Sequence, residues 1–192
     1  VPDFKYDLDR KRLQLALRYT ASESHERNDM AVYMDSISTG RLDRGGDAKK
    51  PIGVEMNLVL HSADSRGEIR LNSTDVTDQP LIDFNYMAEP RDLVRMRDGV
   101  RKLVIIGERP EFQMIADEMI QPTADIVDSD QVLDEWIRRE VVTGHHISSS
   151  NMMGVESNPS AVVDQYGVVR GVAGLRVIDA SIMPTCVRAN IN

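Results

Sequence analysis

The sequence lacks a second cysteine. Cys186 stands alone, which excludes an internal disulfide framework and any metal site built from several thiolates. A long apolar run is also missing. A membrane-spanning helix needs roughly 20 continuous apolar residues, and no stretch approaches that. Nor is there a basic surplus: the formal net charge is -8, which argues against nucleic acid or an anionic membrane surface as a partner. The clusters Arg10-Lys11-Arg12 and Arg138-Arg139 alternate with acids and read as solvated faces.

Several common chemistries are excluded by spacing. The nearest approach to a Gly-rich phosphate loop, Gly167 to Gly174, lacks the strand–turn–helix setting that such a loop requires. The serine row Ser148-Ser149-Ser150 carries no Gly-x-Ser-x-Gly elbow, so a serine hydrolase is not indicated. Of the four histidines, His145 and His146 are adjacent, but no second pair stands at ligand spacing, and no metal site is expected. No two acids are spaced as a glycosidase pair.

What is present has the balance of an ordinary soluble protein, with 41% hydrophobic and 28% charged residues. The length of 192 residues suits one core-bearing domain, or a domain plus part of another. The chain opens at Val1-Pro2-Asp3 without an initiator methionine or a signal-peptide pattern, and stops at Asn190-Ile191-Asn192. Such ends suggest a piece of a longer polypeptide, and a cytoplasmic location is the expectation.

Three regions follow from the pattern. Residues 1–50 form a charged N-terminal segment with no assigned role. Within it Leu8, Leu13, Leu15, Ala16 and Leu17 suggest a helix over Tyr6 to Tyr19, and Ala31 to Ile37 a short strand. Residues 51–141 read as an α+β substrate-binding domain, an antiparallel sheet with helices on one face. Val54, Met56, Leu58 and Leu60 alternate along a strand from Gly53 to His61. Glu68 to Leu71 is expected to return against it as a hairpin, and Pro80 to Tyr86 gives a third strand. Helices are expected over Asp92 to Glu108 and Asp130 to Val141, the second capped by Asp130. Residues 142–192 are poor in charge and rich in Ser, Gly, Asn and Val, with two short strands expected at Ala161 to Val163 and Leu175 to Ile178.

That last region carries a resemblance. Gly144-His145-His146-Ile147-Ser148-Ser149-Ser150-Asn151-Met152-Met153-Gly154 is similar to the His-(Pro)-x-Gly-Thr-x-x-Met-Gly motif of the glucose–methanol–choline (GMC) oxidoreductase family. Ala161-Val162-Val163-Asp164 and the segment from Gly171 to Pro184 resemble, in order, the family's following blocks, and residues from about 50 onward resemble its substrate domain. Counting back from Met153-Gly154 places His146, rather than His145, at the family's catalytic histidine. The second active-site position falls on Asn190. Three departures stand out: Ile147 stands where the family often has proline after the histidine, Ser149-Ser150 replaces Gly-Thr, and Ile191 stands where the family frequently has proline after the second site residue.

The resemblance implies C-terminal strands that return to an FAD-binding α/β domain and an FAD-dependent oxidation of a CH–OH group, with hydride passing to flavin. It implies His146 as general base and Asn190 as its partner at the substrate oxygen. His145, Asp179, Ala180, Asn190 and Ile191 would face the cofactor. Partners would be a small-molecule alcohol and the N-terminal FAD-binding portion of the same protein. The isolated segment is expected to be inactive. Two alternatives stay open: a lyase of the same family that keeps its flavin, and a non-catalytic substrate-domain fragment.

Overall fold

The structure, a computed structural model, describes residues 13–38 and 53–191. Its order is β1 (Leu13–Tyr19), β2 (Met30–Ser38), β3 (Gly53–Leu60), β4 (Glu68–Arg70), β5 (Leu81–Asp83), α1 (Pro90–Gly107), α2 (Pro110–Gln113), α3 (Ala124–Val127) and α4 (Asp130–Glu140). A single 3₁₀ turn follows at Ala180–Ile182. The α+β class expected from the pattern is what the chain forms. Two compact units divide it, one of residues 1–60 and 93–140, the other of residues 61–92 and 141–192.

In the first unit an antiparallel sheet runs β1-β2-β3. The middle strand carries the core and, among the described residues, it alone in this sheet has neighbours on both edges: Met30, Ala31 and Val32 are buried. Leu93 and Val100 on α1 and Leu133 and Ile137 on α4 are also buried, each pair at helical spacing. Helix α1 comes so close to the sheet that a Cβ at Gly99 would lie 2.6 Å from Leu58 Cδ2 and 2.8 Å from Tyr19 Oη. A helix-interior glycine costs about 1 kcal/mol against alanine, and here that cost permits the approach. Ion pairs join α1 to α4. Arg97 Nη1 meets both Asp134 oxygens at 2.7 and 2.8 Å, and Arg101 Nη2 donates to Asp130 Oδ1 at 2.6 Å and to the Val127 carbonyl at 3.0 Å.

The turn between β1 and β2 is fixed by a buried carboxylate. Asp29 accepts the Ala21 N–H at 2.9 Å and faces Arg95 Nη1 at 3.3 Å, both side chains essentially without solvent. Burial alone would raise the Asp29 pKa. Hydrogen bonds from Ser24, the Ala21 amide and Arg95 outweigh it and hold the carboxyl below its ordinary value.

The second unit pairs β4 with β5, antiparallel, from Glu68↔Asp83 to Arg70↔Leu81. Buried Asp92 gathers the loop before β4 by accepting the Asp64 N–H at 2.9 Å, the Ser65 N–H at 2.8 Å and the Ser65 hydroxyl at 2.5 Å. The rest of this unit is loop.

Four expectations need correction. The helix over Tyr6 to Tyr19 does not form in its described part, because residues 13–19 are strand β1; residues 6–12 lie outside the described residues. Leu13, Leu15 and Leu17 in fact alternate in sequence, and the pairing with β2 is regular from Leu15↔Met34 to Tyr19↔Met30, with a register shift between Leu13 and Leu15. The expected hairpin of Gly53 to His61 with Glu68 to Leu71 is replaced, since β3 pairs with β2 and β4 with β5. Ser129 caps α4 in place of Asp130, its hydroxyl accepting the Val132 N–H at 3.4 Å. Residues 161–163 and 175–178 make isolated bridges, Met153↔Val163, Val163↔Val169 and Val168↔Arg176, because turns at Gly167, Gly171 and Gly174 (φ +72 to +76°) reverse the chain before a strand can extend.

Two experiments check this packing. Gly99→Ala, which by helix propensity alone would stabilise α1, is expected to destabilise the fold by about 1–3 kcal/mol through the clash with Leu58 and Tyr19. Tyr19→Phe is expected to be neutral or mildly stabilising, because the Tyr19 hydroxyl is buried without a hydrogen-bond partner. Denaturant titration reads both. Asp29→Asn is expected to cost about 3–5 kcal/mol, since it takes the carboxylate from a buried guanidinium. In the wild type the Asp29 contribution is full above the ordinary carboxylate range and is lost as pH falls through its lowered native value. Thermal melts from pH 7 to 3 should therefore fall less steeply in the variant.

Candidate functional site

Every site residue expected from the sequence lies in residues 141–192, in the second unit. The loop carrying the two histidines is shaped by local backbone geometry. His145 takes a positive φ of 62° and donates its N–H to Thr143 Oγ1 at 3.0 Å. Ser149 takes φ 70°. This is the left-handed region, which glycine enters freely and a serine enters at a cost of about 1–2 kcal/mol.

Beyond the bend, the chain is tied to the segment around the 3₁₀ turn. Ser149 N–H donates to the Ala180 carbonyl (3.3 Å), Asn151 N–H to Ser181 (2.9 Å) and Met153 N–H to Ile182 (2.8 Å). Asn151 Nδ2 adds a bond to Ser181 Oγ at 3.1 Å. Met153 and Gly154 pack next to Val163, which is fully buried; Gly154 N–H donates to its carbonyl at 3.1 Å. A Cβ at Gly154 would stand 2.9 Å from the Ala161 Cβ, so the Met-Gly end of the motif requires the glycine for packing.

Asp179 caps the 3₁₀ turn. Its carboxylate accepts the Ser181 N–H at 2.8 Å and the Ser181 hydroxyl, and these two bonds, the hydroxyl first, hold its pKa below the ordinary value. The carboxylate is thus engaged, while the amides of Asp179 and Ala180 donate to no acceptor among the described residues.

From Met183 the chain returns to the histidine loop. The Ile191 N–H points at Nδ1 of His146 from 3.5 Å. His146 is half-buried, as is Ile191, while Asn190 is exposed. The structure therefore brings His146 to the Asn190–Ile191 end of the chain, and joins Ala180 to the same loop through Ser149. His145 is exposed, and no hydrogen bond links it to the other five residues. Among the described residues no group of three or more His, Cys, Asp or Glu could hold a metal ion, and no helix is long and apolar enough to cross a membrane.

Sequence reading noted Ser149 only as a departure from the resembled motif and did not single out Asn151 or Ser181. Ser149 had a signal, because it stands where the resembled motif has glycine. Its hydroxyl is buried and makes no hydrogen bond. Asn151 and Ser181 had none, since their pairing depends on a contact across 30 positions.

Comparison with known proteins bears on the family and the fold. A family model described as GMC oxidoreductase matches residues 63–192. An oxygen-dependent choline dehydrogenase of Chromohalobacter salexigens is 39% identical over 148 residues, which cover 77% of this chain and 26% of the relative. Among solved structures, pyridoxine 4-oxidase from Mesorbium loti is 25% identical with a TM-score of 0.72, covering 89% of this chain and 33% of the other. A formate oxidase of Aspergillus oryzae, studied for the modification of its FAD, is similar in fold at 22% identity and TM-score 0.72, covering 86% and 29%. The fold and the matched residues define the class, the C-terminal portion of an oxidoreductase. The chain belongs to the GMC oxidoreductase family. It spans about a quarter of the length of the curated relatives it matches.

The bend at Ser149 gives a direct check. Ser149→Gly relieves a positive φ and removes a buried hydroxyl without a partner, so it is expected to stabilise the protein by about 0.5–1 kcal/mol, read as a rise in Tm.

Proposed function

We propose that the whole polypeptide oxidises the CH–OH group of a small alcohol with FAD as cofactor, and that His146 is the general base at the substrate hydroxyl. The observation that supports the reading is the return of the Ile191 N–H to His146 Nδ1, which brings the Asn190–Ile191 stretch of chain to the imidazole. Imidazole suits proton transfer because its unperturbed pKa of about 6.5 lies near working pH. Asn190 can donate one hydrogen bond and accept another, so it suits holding the substrate oxygen while negative charge develops there.

The residues fit a flavin on one observation. With the Asp179 carboxylate occupied by Ser181, the amides of Asp179 and Ala180 remain as donors for a phosphate or a ribityl hydroxyl. His145, Asn190 and Ile191 complete the proposed cofactor-facing set. When bound, FAD accepts the hydride from the alcohol carbon. The chain has no Gly-rich dinucleotide loop, so in this proposal residues 142–192 return to an FAD-binding domain whose greater part is supplied by the preceding polypeptide. The segment alone would then be inactive. A cytoplasmic location belongs to the same proposal.

The test is bleaching of the flavin absorbance in the full-length protein under anaerobic conditions. Choline is the first alcohol to try, given the choline dehydrogenases among the relatives. His146→Ala is expected to retain FAD and lose about 10²–10⁴-fold in turnover. Unchanged turnover would remove His146 from the mechanism, and a flavin unreduced by a broad alcohol panel would point to the lyase alternative.

A further inference from the structure

Ile191 occupies the position where the resembled motif frequently has proline. Proline has no backbone N–H. Ile191 has one, and it is aimed at Nδ1 of His146 from 3.5 Å. A backbone amide can only donate. Nδ1 must therefore present its lone pair, and the single proton of the neutral ring must sit on Nε2.

We propose that the Ile191 main-chain N–H is a positioning group that sets the tautomer of His146, biasing the neutral ring toward the form protonated at Nε2. The proposal rests on the reading of His146 as the residue at the substrate hydroxyl, and it adds a constraint to that role. With the proton on Nε2, the outer nitrogen meets a substrate oxygen as a hydrogen-bond donor. To act as a base there, the ring needs its proton on Nδ1 and a lone pair on Nε2. That form turns an N–H toward the Ile191 N–H, two donors facing each other. Base action thus requires the Nε2 proton to leave to solvent, a proton from solvent to add at Nδ1, and the Ile191 contact to be given up. The alcohol O–H bond then breaks with its proton passing to Nε2.

The histidine end of the contact is held in place. The His146 loop is tied by the Ser149, Asn151 and Met153 amides to residues 180–182, and Ile191 lies nine residues beyond that turn. At 3.5 Å the bond is long, so its net worth lies near the bottom of the range for hydrogen bonds, roughly twofold to threefold in the tautomer ratio.

The experiment uses the full-length, FAD-loaded protein with ¹⁵N-labelled histidine, the His146 signals being assigned by their loss in His146→Ala. In the wild type at a pH where the ring is neutral, Nδ1 is expected to be pyridine-like and Nε2 pyrrole-like. Ile191→Pro should move both toward the average, by at least a twofold change in tautomer ratio, while Ile191→Val, which keeps the amide, should leave them in place. The rate of flavin reduction should rise by a similar factor in the proline variant where proton removal limits it. A pyrrole-like Nδ1 in the wild type would overturn the proposal, even where the proline variant fails to fold. So would an equal shift in Ile191→Val. Full turnover in His146→Ala would instead overturn the assignment of His146 as base, and would leave the tautomer result standing.

Discussion

Three backbone hydrogen bonds, from the amides of Ser149, Asn151 and Met153 to the carbonyls of Ala180, Ser181 and Ile182, are the constraint on which the candidate site depends. Residues 141–192 contain no helix of ordinary length and no extended strand, so nothing like a sheet or bundle fixes His146 for them. The spacing of the donors explains the arrangement. The donors stand two residues apart on a segment that bends at Ser149 and turns at Ser150 and Asn151, whereas the acceptors are consecutive carbonyls of a tight turn. That turn presents its carbonyls in order only if its own start is held, and the Asp179 carboxylate holds it through Ser181. The acid that the family resemblance draws toward the cofactor is thus, in its side chain, a structural cap. That leaves its main chain available for a ligand.

The first unit is held by a different principle. Its middle strand is hydrogen-bonded along both edges and its helix packs on the sheet through a glycine, so a regular ladder and apolar burial act together there. Asp29 and Arg95 are the exception. A buried ion pair is often no more stabilising than a well-packed apolar pair. Asp29 differs in that it also binds the Ala21 amide, so it closes the turn that lets β1 reach β2. Removing either function exposes the other.

Much of this was legible in the sequence where local period and chain neighbours agree. Helices α1 and α4 and strands β2 and β3 stand where apolar residues recur at 3.6 or 2. Strand β1 was misread because Ala16 fills the gap in the Leu13-Leu15-Leu17 alternation, and with Leu8 the set mimics a helical face. On an edge strand both faces tolerate apolar residues: Leu15 remains 65% exposed. The β4–β5 pairing was missed for another reason. Proximity in sequence favoured a return onto β3, but β3 pairs instead with β2, from Met30↔Leu60 to Ser38↔Gly53. In the site, His146 and the Asn190–Ile191 end were legible because a motif fixes residue types at set intervals. The Ser149 bend and the Asn151–Ser181 bond were not, since backbone dihedrals and contacts between distant loops leave no period to read.

Two of the three departures from the family motif share a physical character. Ser149 replaces a glycine and Ile191 stands in for a proline, and neither change brings a reactive group to the imidazole. Each alters what the backbone offers. At Ser149 the chain enters the left-handed region without glycine's freedom, so the bend is kept at a cost and the Ser149 amide is still delivered to Ala180. At Ile191 the chain regains an N–H that proline would lack, and that N–H is spent on Nδ1. Both positions therefore bear on the surroundings of one side chain, His146, from opposite ends of the same segment. In a segment without regular secondary structure, the main chain is the scaffold, and a change in backbone capability reaches the imidazole as directly as a change of side chain would.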